Sequence, residues 1–259
     1  MNRHLVLLSI AQGLFLTNNV TFIAINGLVG LSLAPEAWMA TLPVMGYVVG
    51  GALSTGLVAK SQQRFGRKGS FQLGLLVALL SAALGAFAVL SQSFWLLVTA
   101  TVVAGYYSAN GQLYRFAAAE LCKPDYREKA VSLVMAGGLI GAVIGPNLAI
   151  QTKSLFGMPF AGAYVALMGV AVLSMAVMSF IHFPPAPVVK ADDTGGRPLG
   201  EIMRQPVFFV AALAAALGYG VMNLLMAATP LAMQVCGFPF EDTAWVLQWH
   251  VISMFAPGF

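Results

Sequence analysis

Charge is what this sequence has least of. Asp, Glu, Lys and Arg make up only 8% of its 259 residues, against 59% hydrophobic ones, where a water-soluble domain carries about a quarter charged and about half apolar. So few charges cannot coat a soluble fold, and that class is excluded. Cysteine is almost missing as well: Cys122 and Cys236 fall at the ends of different apolar runs, on opposite sides of the topology below, so a disulfide between them is geometrically excluded. The chain has no His/Cys set at metal-ligand spacing, no glycine-rich phosphate loop, no Gly-x-Ser-x-Gly and no paired Asp-rich prenyl-diphosphate motif. Its Arg, Lys and His residues are too scattered to assemble a catalytic triad by spacing. No catalytic residue, metal or cofactor is therefore expected, and the chain does not read as an enzyme. The net charge of +4 does not argue for nucleic acid, because cations in short loops beside membrane helices already have a topological role.

What is present is a succession of long apolar runs. Bounded by polar or Pro/Gly breaks, they predict helices over 5–32, 37–59, 70–90, 94–121, 130–152, 159–182 and 206–235, with an eighth beginning near Thr243. Each complete run can cross a hydrocarbon core of about 30 Å at about 1.5 Å per residue. The start, Met1-Asn2-Arg3-His4 followed by Leu5 to Leu16, resembles a signal peptide, but no Ala-x-Ala-like site follows and the apolar pattern continues to Leu33. It is expected as an uncleaved first helix. With the N-terminus inside, eleven of the 13 cations become cytoplasmic: Arg3, Lys60, Arg64, Arg67, Lys68, Lys123, Arg127, Lys129, Lys190, Arg197 and Arg204. Lys153 lies outside and Arg115 within a helix, so the positive-inside rule selects this orientation.

The stretch 183–205 differs in kind. Pro184, Pro185 and Pro187 precede Lys190, Asp192, Asp193, Gly195 and Gly196, which reads as a flexible cytoplasmic linker between residues 1–182 and 206–259. After it the chain weakly repeats itself. Gly13 and Asn18 recur as Gly218 and Asn223, and Glu36, Trp38 and Gly51 as Glu241, Trp245 and Gly258, at offsets of 205–207. A complete two-repeat protein would then run to roughly 400 residues, consistent with parallel transporter repeats, and this chain is expected to be a fragment of it.

Three motifs carry a family resemblance. Arg64-Phe65-Gly66-Arg67-Lys68 resembles the loop between helices two and three of the major facilitator superfamily, G-x-x-x-D-R-x-G-R-K, with Ala59 in place of its first glycine and Gln63 in place of its aspartate. Gly137, Gly141, Gly145 and Pro146 look like that family's fifth-helix G-x-x-x-G-P motif, seen most in exporters of the antiporter type. The glycines would let a neighbouring helix approach closely and Pro146 would bend the helix. Glu120 and Arg127 resemble the family's E-x6-R pairing, and with Arg115 suggest a structural or gating salt-bridge cluster. The resemblance implies an all-α integral membrane protein: a six-helix bundle of the superfamily's type and the beginning of a second bundle.

Polar residues within the apolar runs are costly unless they face an interior or a water-filled cavity, so they mark candidate binding positions. Gln12, Asn19 and Asn26 recur every seven residues on the first helix, beside Asn18 and Thr21. Tyr107, Asn110 and Tyr114 share a face of the fourth, and Tyr219 and Asn223 one of the seventh. The resemblance implies that these three helices line a central cavity where a small organic solute binds. Asn18, Asn19, Tyr107, Asn110, Tyr114, Asn223 and His250 are the candidate contacts, and Arg64, Gly66, Arg67 and Lys68 the candidate inner gate. No Asp or Glu lies in the middle of a complete helix, so a coupling proton would fall to His250, Glu120 or a residue beyond Phe259. The expected function is secondary active transport of a neutral or amphipathic solute by alternating access in the bacterial inner membrane, the full-length protein being a monomer in the lipid bilayer. Proton-coupled export is the form the fifth-helix motif suggests. A non-transporting membrane scaffold, or an inactive truncated remnant, remains the alternative.

Overall fold

The computed structural model describes residues 3–184 and 199–256, which are helical throughout apart from turns, with no strand among them. Without water to satisfy amide groups in hydrocarbon, each spanning segment must close its backbone hydrogen bonds internally, and a helix does so. The chain order is α1 (Arg3–Leu33), a 3-10 turn (Ala37–Thr41), α2 (Leu42–Leu90), α3 (Phe94–Gly111), α4 (Tyr114–Glu120), a second 3-10 turn (Pro124–Tyr126), α5 (Arg127–Thr152), α6 (Ala161–Ser179), α7 (Leu199–Met203), α8 (Pro206–Val235) and α9 (Phe240–Phe255). Among the described residues, five stretches are long and apolar enough to cross a membrane: Arg3–Leu33, Ala37–Leu90, Pro124–Thr152, Ala161–Ser179 and Pro206–Val235.

α2 is a hairpin rather than one rod. Gly66 adopts φ 67° and ψ −179°, a region open essentially to glycine alone. The hydroxyls of Ser61 and Ser70 meet at 2.5 Å across it, although nine residues of straight helix would separate them by about 13 Å. The stretch 59–70, expected as a loop between two helices, is instead helical on both sides of a one-residue hinge. A second difference concerns the helix expected over 94–121, which breaks at Gln112–Leu113 into α3 and α4. Residues 185–198, most of the expected linker, lie outside the described residues, and its last part forms the short helix α7.

α1 is the hub. In its most apolar window 78% of residues are buried, against none in that of α8. α1 packs along α5, α2 along α3 and α6, and α9 along α5. Two large layers of core, with a smaller cluster around Val20, Ile23 and Met226, fill the bundle among the described residues. One, near the Gly66 end, joins Leu8, Phe15, Phe71, Tyr107, Tyr114 and Met178; the other joins Phe22, Ile25, Tyr47, Leu97, Tyr164 and Phe240. The start of α1 is tied to the end of α6, where the His182 amide donates to His4 Nδ1 at 3.3 Å.

Candidate functional site

Small residues decide how closely the helices stand. A Cβ on Gly137 would come within 2.1 Å of the Ser9 carbonyl oxygen, one on Gly141 within 2.4 Å of Gly13 O, and one on Gly145 within 3.0 Å of Thr17 O. Thr21 of α1 donates its hydroxyl to the Gly145 carbonyl at 2.8 Å. Gly137, Gly141 and Gly145 thus form one face of α5 laid against α1, and α5 continues as helix through Pro146. A second seam of this kind joins α2 and α3, where Gly50 meets Val102 and Gly105 meets Gly51. Sequence reasoning missed it because Gly105 is far in the chain from Gly50 and Gly51.

Midway along α1, Asn19 Nδ2 donates to the Tyr47 hydroxyl at 2.8 Å. Ser108 of α3 and Tyr219 of α8 stand near that hydroxyl. Four helices therefore bring together a group of uncharged donors and acceptors beside an aromatic ring. Asn18 is buried next to it, while Asn223, one turn along α8 from Tyr219, donates its amide to the Tyr219 carbonyl at 2.9 Å. Tyr47 did not stand out in the sequence, because a single phenol in an apolar run carries no periodic signal.

The remaining polar positions of the α1 stripe part company. Asn26 accepts from the buried Tyr164 hydroxyl at 2.8 Å and donates to Phe22 O at 2.6 Å. Gln12 Oε1 is buried without a hydrogen-bond partner among the described residues, as is the Tyr107 hydroxyl. Tyr107 and Tyr114 both pack edge-on against Phe15 in the core. Asn110, expected to meet solute, is 1% exposed and fully engaged: its amide donates to Ser70 O at 2.8 Å and its Oδ1 accepts from Gln62 at 3.2 Å.

That engagement belongs to a chain of contacts reaching the Gly66 end. Arg67 Nη2 and Nε donate to Glu120 at 2.6 and 3.1 Å, a two-pronged ion pair, while Arg67 Nη1 donates to Gln62 at 3.2 Å. Tyr106 donates to Ser61 at 2.9 Å, and Ser61 meets Ser70. Lys68 donates to Ser179 O at the end of α6 at 2.6 Å. Glu120 was expected to pair with Arg127; the structure joins it to Arg67, because the hinge at Gly66 swings Arg67 over the end of α4. With side chains 27% and 38% exposed, the pair is worth about 1 kcal/mol or less. Arg64, Arg115 and Arg127 are exposed, with Arg115 over the Phe116 ring at 5.0 Å.

At the opposite end a cavity of about 540 Å³ lies between α1, α2, the α5–α6 turn and the α8–α9 turn. Lys153 Nζ sits 5.8 Å from the Phe160 ring centre and 5.3 Å from that of Phe240, and the two rings meet edge to face at 5.1 Å. Nearer the middle, Asn147 of α5 donates to Gln248 of α9 at 3.0 Å. His250, half-buried on α9, lines an open hollow of about 540 Å³ with Met222 and Trp249. No group of three or more potential metal ligands occurs among the described residues.

A family model for the Major Facilitator Superfamily matches residues 5–258, nearly the whole chain. The chain belongs to this superfamily. It is accordingly an integral membrane protein built of apolar helices, and its relatives are transporters. It is 36% identical over 262 residues, 99% of its length, to a riboflavin transporter, RfnT, of Brucella anthropi, covering 65% of that protein. Two transporters of Bacillus subtilis named as members of the superfamily, YddS and YdeG, are 26% and 27% identical over 91% and 99% of this chain. The chain spans between 58% and 65% of the length of these relatives. Gln62, one residue before the expected aspartate position, supplies a neutral contact to Arg67 beside the hinge at Gly66.

Proposed function

We propose that this chain supplies the first half, and the opening helices of the second, of a secondary active transporter for a small neutral or amphipathic organic solute, riboflavin being the first candidate. The observation that carries this reading is the 36% identity along 99% of the chain to a protein named as a riboflavin transporter. The Asn19, Tyr47, Ser108 and Tyr219 group supports it physically: it offers uncharged hydrogen-bonding groups and an aromatic ring, the lining that suits a planar ring system with hydroxyls. The close α1–α5 seam makes the first bundle a stiff body able to rock against its partner, as alternating access requires. The Gly66 end faces the cytoplasm of a bacterial inner membrane in this proposal, following the distribution of lysines and arginines. His250 is the one histidine away from the helix ends and is the candidate proton carrier.

The test uses a riboflavin-requiring bacterium that lacks its own importer and expresses the full-length protein. Growth at low external riboflavin and saturable accumulation of labelled riboflavin are expected. Membranes that contain the protein but accumulate no more flavin than empty-vector cells would overturn the substrate assignment.

A further inference from the structure

A second cavity, about 480 Å³, opens at the Gly66 end between the start of α1 and the turn joining α4 to α5. Its wall is apolar, with Leu5 and Leu121 buried and Leu133 beside them. Its rim is Lys123, Tyr126 and Lys129, all exposed, with Lys129 Nζ 6.0 Å from the centre of the Tyr126 ring. Four other cations at this end are differently placed. Arg67 is held by Glu120, Lys68 by the Ser179 carbonyl, and Arg64 and Arg115 lie over the rings of Phe65 and Phe116. Among the described charged residues, Lys123 and Lys129 alone line this cavity, since Asp125 and Glu128 of the same turn do not. α5 starts at Arg127 without a side-chain cap, so its amide end adds partial positive charge beside the two lysines.

An apolar wall continuous with a rim of two ammonium groups and a phenol complements a molecule that is anionic at one end and hydrocarbon at the other. The bilayer supplies such molecules at this depth. Basic hollows between membrane helices are recognised sites for acidic headgroups, each nearby lysine contributing about 1 kcal/mol. We infer that the Leu5, Lys123, Tyr126 and Lys129 cavity binds an anionic phospholipid, its phosphate between the two lysines and its acyl chain against Leu121 and Leu133.

The experiment measures binding of phosphatidylglycerol to the purified full-length protein by native mass spectrometry and by the shift of its melting temperature. Phosphatidylcholine and soluble glycerol 3-phosphate serve as parallel ligands. Phosphatidylglycerol should bind and raise the melting temperature, and neither of the others should match it. Lys123→Gln with Lys129→Gln should weaken phosphatidylglycerol binding roughly thirtyfold, the equivalent of two lysine contributions. Lys123→Arg with Lys129→Arg should retain it, and so should Lys60→Gln with Arg64→Gln, which removes the same charge from the exposed hairpin. Equal loss in the hairpin variant would reduce the effect to net charge and overturn the site. Equal binding of glycerol 3-phosphate would overturn the lipid assignment in favour of a soluble phosphate ligand, and unchanged binding in the double glutamine variant would overturn both.

Discussion

Single polar residues in this bundle divide into those that hold it together and those left facing a shared space. Asn110 and Asn26 belong to the first kind: each is almost fully buried and each meets partners on another helix. Membrane hydrogen bonds average about 0.6 kcal/mol, but Asn110 serves two contacts, and Gly74 packs so near its amide that a Cβ there would lie 2.8 Å away. Asn110→Ala is therefore expected to destabilise the purified protein by about 1–2 kcal/mol, read as a lowered melting temperature. Tyr47→Phe removes only the hydroxyl that accepts from Asn19. It should cost only about 1 kcal/mol of stability, the loss of one hydrogen bond, yet reduce transport at least tenfold. Full transport by Tyr47→Phe would remove the phenol from the solute site.

At the scale of helices, backbone proximity rather than hydrophobic area sets the arrangement, because lipid is as apolar as the side chains it would replace. Glycine substitutions separate the two cases by sign. Gly137→Ala gains about 1 kcal/mol of helix propensity, but its methyl would stand 2.1 Å from a backbone oxygen of α1. Forcing the helices apart costs about 1–3 kcal/mol or more, so destabilisation is expected. Gly169 lies on the exposed side of α6, and a methyl added there would meet nothing within 4 Å among the described residues. Gly169→Ala should stabilise by about 0.4–1 kcal/mol. Thermal melts of the two variants in the same detergent check the pair, and the same sign in both would show that the α1–α5 seam is not as tight as the glycine contacts require. The Gly66 hinge obeys a different constraint, since no described residue crowds it and only its positive φ excludes a side chain.

For the whole molecule the basic end and the Lys153 end are chemically distinct, and the two free thiols report on them. Cys122 follows α4 at the basic end, whereas the exposed Cys236 follows α8 at the other. In the proposed orientation Cys236 faces outward. A membrane-impermeant maleimide added to intact cells should label the full-length protein, and Cys236→Ser should abolish that label while Cys122→Ser leaves it. The reverse pattern would invert the topology. The same two ends are fastened differently: an ion pair and backbone cap at one, two aromatic rings around Lys153 at the other.

What the sequence determined by itself was everything set by local composition. Apolar runs long enough for hydrocarbon marked the five stretches that can cross a membrane among the described residues, though not the break inside the run 94–121; the spread of lysine and arginine proposed an orientation, and the spacing of Gly137, Gly141 and Gly145 marked a helix face for close packing. Such features depend on residues near one another in the chain and on the thickness of a bilayer. The tertiary structure decided which polar atoms meet. Asn19, Asn26 and Gln12 share one helical face, yet the first meets Tyr47, the second Tyr164 and the Oε1 of the third no partner among the described residues, because each depth of α1 is opposed by a different helix. Likewise, Arg67 meets Glu120 across 53 residues only once a glycine hinge and a break at Gln112–Leu113 have aimed two helix ends at each other. Pairing of this kind depends on the rotation and separation of packed helices, which no periodicity along a single helix encodes.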